Sequence, residues 1–288
     1  MMKIFKRVIV VLTLIIIVVC TAFGISGYKM YKNALNEMPL TDKVASIRQK
    51  ENYATIEEVP QMYKDAVISV EDHRFYKHNG IDVIAIGRAV VNDIKALEFV
   101  EGGSTITQQL AKNIFFTQEK KIERKVAEIF MTFEIEKNYD KDEILELYLN
   151  TSYYGDGYYT IKEACRGYFD KELYQMTDYE CILLAGIPNA PSVYAPTKNP
   201  ELAKQRQRQV MKKMIEYGYL TESEANNILN ENNVRNILIF CTRIRKTNYK
   251  LLRWLQDFGV VNKLSNIVNR LDKEKPVICL SKKLLEIF

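Results

Sequence analysis

Residues 69–82 read SVEDHRFYKHNGID, and the rest of the chain is interpreted outward from this stretch. It contains two adjacent carboxylates, Glu71 and Asp72, and the chain's two histidines, His73 and His78. The apolar run 66–70 leads directly into Glu71, which places this carboxylate where a partly buried helix reaches the surface. Desolvation there would raise its pKa toward the range of a general base. Taken alone, the stretch also fits a solvated helix end with ordinary charges.

The composition describes a globular chain with an apolar segment at its start. The 288 residues are 47% apolar and 27% charged, which allows a large core and one or two domains. Residues 8–25 contain no charge, three basic residues precede them, and Lys29 and Lys32 follow. We predict one transmembrane signal anchor within 1–30, with the N-terminus in the cytoplasm and the remainder outside. A cleaved signal peptide is the alternative, and the five cysteines have no disulfide or metal-site spacing.

The remaining chain is predicted to form a stalk, a helical domain and a basic tail. We place a polar stalk at 31–54, the domain at 55–232 and the tail at 233–288. The spacing of Thr55 and Glu58 predicts a capping box and a helix from about 57 to 70, and Thr177 and Glu180 predict a further capping box. The tail carries twelve Lys or Arg against four Asp or Glu, whereas the whole chain is only +5. The basic excess therefore belongs to the tail, and an exported chain gives no reason to predict nucleic acid as a partner.

Three further segments have a composition that suits membrane contact, ligand binding or catalysis. Residues 81–100 are strongly apolar and fit either a core helix or a helix in the lipid interface. Residues 101–116, EGGSTITQQLAKNIFF, fit an ordinary helix N-cap, but their density of hydrogen-bonding groups suits a sugar or pyrophosphate at a helix start. In 122–138, Arg124 and Lys125 lie four and three positions before Glu128, which brings the three together on a helix. A surface ion pair of little energetic consequence is the alternative interpretation.

With these residues identified, the chain resembles glycosyltransferase family 51 from about residue 55 to 230. The first family motif, E-D-x-x-F-x-x-H-x-G, is present at 71–80, and the second, G-G-S-T-I-T-Q-Q-L-x-K-N, at 102–113. The third, R-K-x-x-E, is present at 124–128, and the fourth, K-x-x-I-L-E-x-Y-L-N, at 141–150. Because four motifs occur in the family's order, the probability of a chance match is very small.

The resemblance implies a mainly α, lysozyme-like helical domain after one transmembrane helix, with a small jaw lobe at 81–101 that enters the membrane surface. It implies a bacterial cell-membrane peptidoglycan glycosyltransferase that polymerises lipid II into β-1,4-linked glycan, inverts the anomeric carbon and releases undecaprenyl pyrophosphate. The implied partners are lipid II, the growing glycan strand, the membrane, and transpeptidases or other cell-wall synthesis proteins. No cofactor is required, although a divalent cation, Mg²⁺ or Mn²⁺, could bind at Glu128.

The resemblance also implies roles for individual residues. Glu71 would be the base that takes a proton from the sugar 4-hydroxyl, and Glu128 the second catalytic glutamate, which orients cations. Lys112, Lys120, Arg124 and Lys125 would stabilise the leaving pyrophosphate. The other residues carried over as substrate-binding are Asp72, Phe75, His78, Gly80, Ser104, Thr105, Gln108, Gln109 and Asn113.

Three departures from the family pattern keep alternatives open. Lys120 replaces an arginine, which loses the bidentate fork, while Thr160 and Asp170 replace glycines. A threonine at a positive φ would be strained, so we expect the loop around Thr160 to differ. A catalytically impaired cell-wall scaffold is therefore one alternative function, and a lysozyme-like peptidoglycan-cleaving enzyme is another. The tail could bind anionic lipid or a partner, or be an unrelated reading frame.

Overall fold

The computed structural model describes residues 2–96, 102–117, 119 and 121–247. These residues contain α-helices and short 3₁₀-helices but no strand, so the prediction of a mainly α fold is confirmed. The chain divides into two compact units, Met1–Tyr217 and Gly218–Phe288. The α-helices are α1 Met2–Glu37, α2 Leu40–Arg48, α3 Gln61–Glu71, α4 Val83–Ala96, α5 Ile106–Phe115, α6 Ile122–Asn138, α7 Lys141–Leu149, α8 Ile161–Phe169, α9 Asp178–Ala185, α10 Pro191–Tyr194, α11 Pro200–Glu216 and α12 Glu222–Thr247. The 3₁₀-helices are Phe75–Lys77, Leu173–Gln175 and Ile187–Asn189.

Helix α1 contains the predicted transmembrane segment and extends beyond it. The part Phe5–Glu37 is long and apolar enough to cross a membrane, and its most apolar window is not buried in the protein. The helix continues without a break into the segment predicted as a stalk, where α2 then buries Leu40, Val44 and Ile47. The segment 31–54 is therefore largely helical in the structure.

Side-chain caps fix where α5, α7, α8 and α9 begin. Thr105, Asp140, Thr160 and Thr177 each accept a hydrogen bond from the backbone N–H three residues on, and the residue at that position bonds back. The capping box predicted at Thr177 is confirmed.

The helix predicted to begin at about 57 begins instead at Gln61. The Thr55 N–H donates to Glu58 Oε2 over 2.9 Å, but this bond closes a turn rather than a helix. Pro60 explains the difference, because a proline disfavours the helical conformation in the residue before it and lacks an N–H to donate. Pro60 itself is extended, with φ −56° and ψ 139°, and it directly precedes α3.

The two glycine replacements have different backbone conformations. Thr160 is extended, with φ −133°, and serves as the N-cap of α8, so the expected strain at this position is absent and that prediction was wrong. Asp170 ends α8 in the left-handed conformation, with φ 53°. Asn and Asp adopt this conformation more readily than other non-glycine residues. Both departures are therefore accommodated by the local structure.

The first unit is built from two groups of packed helices. α5 packs against α6 and α7, and α3 packs against α9 and α11, while α1 packs against α6. Three fully buried tyrosines, Tyr63, Tyr148 and Tyr154, are among the largest core side chains. This arrangement brings the end of α3 and the start of α5 together beside α11.

Two parts of the predicted organisation, the jaw lobe and the tail, extend outside the described residues. The jaw lobe predicted at 81–101 is described as α4 up to Ala96, and residues 97–101 lie outside. The predicted tail boundary at 232/233 falls within α12, which runs to Thr247, and the tail residues 248–288 lie outside. The domain boundaries remain predictions.

Candidate active site

A polar cleft of about 790 Å³ lies in the first unit. It is lined by residues from the end of α3, from α4, from the segment leading into α5, from α5 itself and from α11. The lining side chains that carry charge or hydrogen-bonding groups include Glu71, Asp72, His73, Arg88, Asn92, Ser104, Gln109, Lys112, Arg206, Gln209, Lys212 and Lys213. Glu216 is a third carboxylate in the lining, so the cleft combines three carboxylates with several cations.

Glu71 is the last residue of α3 and opens into this cleft. Gln109 Nε2 donates to Glu71 Oε2 over 2.8 Å, while Oε1 is buried and has no hydrogen-bond partner among the described residues. Burial is the largest influence on the carboxyl and raises its pKa, and Gln109, Arg206 and Lys112 oppose that rise. A carboxylate with a raised pKa and one unoccupied oxygen can accept a proton from a substrate hydroxyl.

The orientation of Gln109 is fixed by a buried tyrosine. Tyr148 lies on α7 and its hydroxyl donates to Gln109 Oε1 over 3.4 Å. The amide is thereby oriented with its NH₂ group toward Glu71. The second and fourth sequence motifs therefore meet the first at the carboxylate.

Several predicted substrate-binding residues form the interior of the turn after α3. Asp72 contacts His78 Nε2 at 3.0 Å and accepts from the Ile106 N–H over 3.1 Å. The Thr105 hydroxyl donates to the Gly80 carbonyl over 2.6 Å. These bonds join the turn to the first residues of α5. They hold Glu71 and Gln109 at a fixed separation.

Phe75, Gly80 and Gln108 are also interior residues. Phe75 is fully buried, and the Gln108 side chain bonds back to the Thr105 N–H over 3.0 Å. Gly80 has φ +87°, and a Cβ there would lie 2.6 Å from Thr132 Cγ2. Only glycine fits both the conformation and the space. The contacts of these residues are structural, and their predicted role in substrate binding remains a prediction.

Cations of α6 adjoin the cleft beside Ser104. Lys125 Nζ donates to Ser104 Oγ over 2.9 Å, and both Lys125 and Arg124 pair with Glu128. The Arg124–Glu128 distance is 2.6 Å, and Glu128 is only 2% exposed. Lys112 lies near these charges. Burial lowers the pKa of Lys112, and the positive charges of Arg124 and Lys125 lower it further. Lys120, the fourth predicted cation, lies outside the described residues.

The predicted divalent cation at Glu128 does not fit the contacts of that residue. Both oxygens already accept hydrogen bonds from cations, so an ion there would have to displace Arg124 or Lys125. Within the described residues, Asp72, His78 and Asp82 are the group close enough to share an ion. The carboxylates of that group already accept backbone N–H bonds from Ile106, Ile84 and Ala85. Asp82 Oδ2 also pairs with Arg74 over 2.9 Å, and a divalent cation remains a prediction.

Asn113 lies apart from the cleft. It lines a second, smaller cavity of about 220 Å³, together with Lys43 and Lys50 on one side and Thr151 and Tyr159 on another. One turn of α5 therefore presents Lys112 to the cleft and Asn113 to the cavity. The two residues are adjacent in sequence, so their side chains point about 100° apart around the helix.

Sequence reasoning missed the contributions of α11 and α4. Arg206, Gln209 and Lys213 are spaced three and four positions apart, which places them on one helical face. That spacing is visible in the sequence and was the signal that could have indicated this face. At one end of the cleft, the rings of His73 and Tyr217 stack with centroids 4.1 Å apart, and Arg88 Nη1 lies 3.4 Å from His73 Nε2. No pattern in the sequence indicated this stack.

Comparison with known proteins identifies the family. A sequence model described as transglycosylase matches residues 39–215. The chain is 46% identical over 185 residues to penicillin-binding protein 1F of Bacillus subtilis and 43% identical over 183 residues to penicillin-binding protein 1A of Aquifex aeolicus. Each match covers 64% of this chain but only 26% and 25% of the relative, so the chain spans about a quarter of their length.

A shorter relative is matched over most of its length. A Cupriavidus necator protein described as a candidate transglycosylase is 41% identical over 198 residues, which is 69% of this chain and 85% of that protein. Together with the family match over residues 39–215 and the four motifs assembled around the cleft, this similarity leads to one assignment. The chain belongs to the transglycosylase family, glycosyltransferase family 51.

Proposed function

We propose that this chain is a membrane-anchored peptidoglycan glycosyltransferase that polymerises lipid II into β-1,4-linked glycan strands. The observation that carries the proposal is the pairing of Glu71, a buried carboxylate with a raised pKa, with the cations Lys112, Arg124 and Lys125 in and beside one cleft. A transfer that needs one base and an anionic leaving group requires this combination. Membership of the transglycosylase family supports the same reaction class.

Glu71 acts on the acceptor sugar. Its carboxylate takes the proton of the 4-hydroxyl as that oxygen attacks the anomeric carbon of the growing chain. The bond from the anomeric carbon to the pyrophosphate oxygen breaks from the opposite side, so the configuration inverts. The proton remains on Glu71 until it is released to water, and its raised pKa makes the carboxylate basic enough to accept it.

The cations act on the leaving group. Undecaprenyl pyrophosphate leaves without a proton, and its negative charge is stabilised by Lys112, Arg124 and Lys125. Glu128 has the role of a positioning residue, because it pairs with Arg124 and Lys125 from a buried site and fixes the direction of both side chains. Without Glu128 these two long side chains would lose their fixed geometry.

The cations of α11 serve the acceptor. Lipid II also carries a pyrophosphate, so the cleft must hold two anions at once. Arg206 and Lys213 line the cleft from α11, whereas Lys112 lines it from α5. The anions can thus be separated on two helices, with Glu71 between the substrates.

The membrane fixes where the substrates enter. We assign α1 as a single-pass anchor with a cytoplasmic N-terminus and an extracytoplasmic catalytic domain. Val83, Ile84 and Val91 on α4 are exposed apolar side chains, which suits a helix that contacts lipid and admits a lipid-linked substrate. The partners we propose are transpeptidases, which would cross-link the product, and other cell-wall synthesis proteins.

The scaffold alternative loses its main support in the structure. It relied on Thr160 and Asp170 as damaging replacements, and the local geometry accommodates both. The peptidoglycan-cleaving alternative needs a carboxylic acid but has no use for cations grouped around a leaving pyrophosphate.

The test is polymerisation by the purified full chain in detergent with labelled lipid II, with products separated by size before and after muramidase treatment. We expect long, muramidase-sensitive chains. Folded protein that binds lipid II but forms no product would refute the activity and return the scaffold as the function. Short muropeptides released from preformed glycan would instead support the cleaving enzyme.

A further inference from the structure

Helix α1 is packed against the helix that carries the cations of the cleft. It continues past the charge-free segment 8–25 and contacts α6 through Gly27, Tyr28 and Tyr31. The anchor is therefore joined to the domain by side-chain packing as well as by the chain. This packing exists in addition to any function of α1 as a membrane span.

The contact at Gly27 is a close approach of two helices. A Cβ on Gly27 would lie 2.6 Å from Val126 Cβ and 3.0 Å from the Glu123 carbonyl oxygen. Real side chains do not tolerate such separations, so any larger residue would push the helices apart. Gly27 therefore sets the separation of α1 and α6 at this level.

Aromatic side chains fix the contact one turn further on. The Tyr31 hydroxyl donates to Glu134 Oε2 over 3.0 Å, and Tyr31 is only 6% exposed. The Tyr31 ring stacks on Phe130 with centroids 5.9 Å apart, and Tyr28 meets Phe130 edge-on at 5.3 Å. A hydrogen bond and two ring contacts hold the register of α1 along α6.

The two helices run in the same direction along this contact. Gly27 lies beside Glu123 and Val126, and Tyr31, four residues later, lies beside Phe130 and Glu134. Numbering therefore rises on α1 and α6 together. The start of α6 is at the membrane end of the contact.

The contact face and the cation face of α6 are opposite. At about 100° per residue, Arg124, Lys125 and Glu128 fall within one third of the helix circumference. Val126, Phe130 and Glu134 fall within another sector centred roughly 180° away. A change in the height of α1 would thus be transmitted through α6 directly to the cations.

We propose that α1 and α6 form a strut that holds Arg124 and Lys125 level with the membrane surface. Gly27 is two residues beyond Ile25, where the apolar segment 8–25 ends, and two residues before Lys29, the first charge that follows; each distance is about 3 Å along a helix. Arg124 and Lys125 lie between Glu123 and Val126, the two residues that Gly27 contacts. The inference rests on the proposed function, because a lipid-linked pyrophosphate lies at that same level.

The height of Arg124 and Lys125 above the membrane matters because the lipid-linked substrate cannot move away from the membrane with the protein. The pyrophosphate is held near the surface by its lipid, and charge-assisted hydrogen bonds to it tolerate only a few tenths of an ångström. Lifting the domain by one helical turn would separate the cations from the pyrophosphate. Gly27, Tyr28 and Tyr31 are therefore positioning residues for the reaction.

The experiment compares two substrates in an insertion variant of the full chain. Four alanines inserted between Ile25 and Ser26 lift the domain by about 6 Å. The variant and wild type are assayed in phosphatidylglycerol vesicles with full-length lipid II, and in solution with a water-soluble short-chain analogue. We expect kcat/KM on vesicle-bound lipid II to fall roughly 10- to 100-fold, with the loss mainly in KM, and kcat/KM on the analogue to be unchanged.

The matched control has four leucines inserted between Ile16 and Ile17. This insertion lengthens the apolar segment but leaves Gly27 two residues beyond its end, and a longer span is accommodated by tilting. We expect wild-type kcat/KM on both substrates. An equal loss in both insertion variants, or wild-type kcat/KM on vesicle-bound lipid II in the alanine variant, overturns the proposal.

A second variant tests the packing without changing the length. Gly27→Leu should lower kcat/KM on vesicle-bound lipid II, and the added change Val126→Ala should restore part of it. If the alanine insertion or Gly27→Leu lowered kcat/KM on the analogue as much as on vesicle-bound lipid II, the contact would serve folding. That result would overturn the strut. Failure of wild type on both substrates would refute the proposed function instead.

Discussion

The hydrogen bond from Gln109 to Glu71 provides the sharpest test of the base. Gln109→Leu keeps a side chain of similar size but removes the donor 2.8 Å from Glu71 Oε2. The ionised carboxylate then loses its one hydrogen bond among the described residues, while burial continues to disfavour the charge. The pKa of Glu71 must rise further.

The size of that rise follows from the energy of the bond. A hydrogen bond to a charged group contributes about 1.5–3 kcal/mol, and about 1.4 kcal/mol corresponds to one pKa unit. We therefore expect the ionised fraction of Glu71 at a pH below its pKa to fall roughly 10- to 100-fold. The base is active only when ionised, so kcat/KM on the acidic limb should fall by a similar factor and the limb should move to higher pH.

The assay is polymerisation of lipid II at limiting concentration across the pH range, with folding checked by thermal unfolding at each pH. Gln205→Leu is the matched control, because Gln205 is an exposed glutamine on α11 and should leave the acidic limb unchanged. Activity of Gln109→Leu should approach wild type only at high pH. An acidic limb that stays in place while activity falls uniformly would refute Glu71 as the titrating base.

Three further predictions follow from the same contacts. Glu71→Gln should abolish polymerisation but not lipid II binding, and near-normal turnover would contradict the assignment. Because burial raises the pKa of Glu71 in the folded state, the wild type loses stability as pH rises from about 4.3 through the raised value. The gain in melting temperature from Glu71→Gln should thus be present at neutral pH and vanish in acid. Asp72→Asn should destabilise the fold by about 1–3 kcal/mol in denaturant unfolding, because the carboxylate joins His78 to the start of α5; an unchanged midpoint would contradict this. Lys125→Met should lower kcat roughly 100-fold with unchanged thermal unfolding, whereas Lys137→Met, at an exposed position of the same helix, should have no effect.

Local signals in the sequence predicted the parts of the site that lie on single helices. Arg124, Lys125 and Glu128 meet because they are three and four residues apart on α6, as their spacing indicates. The cap at Thr177 was predictable for the same reason, since a capping box involves only residues three apart. The helix start near Thr55 was not predicted correctly, because Pro60 disfavours a helix in the residue before it and α3 begins only after it.

Contacts between different helices could not be predicted from the sequence. Arg206 faces Glu71 only because α11 packs against α3, and the adjacent residues Lys112 and Asn113 line different cavities. Asp72 and His78 contact each other and hold the turn after α3 to the start of α5, a structural role that the sequence did not indicate, while their role in substrate binding remains a prediction. A helical pattern shows which side chains share a face, but not which faces meet.

The sequence by itself determined the helical class and the apolar N-terminal segment, because periodicity and charge are local properties of the chain. Its four motifs carried the family resemblance, which implied Glu71 as the base and the neighbouring cations as its partners in the reaction. Tertiary structure alone decided the environment of Glu71. Its hydrogen bond from Gln109 and the charge of Lys112 come from α5, and the charge of Arg206 comes from α11, so both helices must pack beside the end of α3. A pKa depends on the distances and dielectric around a group, and only the packed fold establishes these.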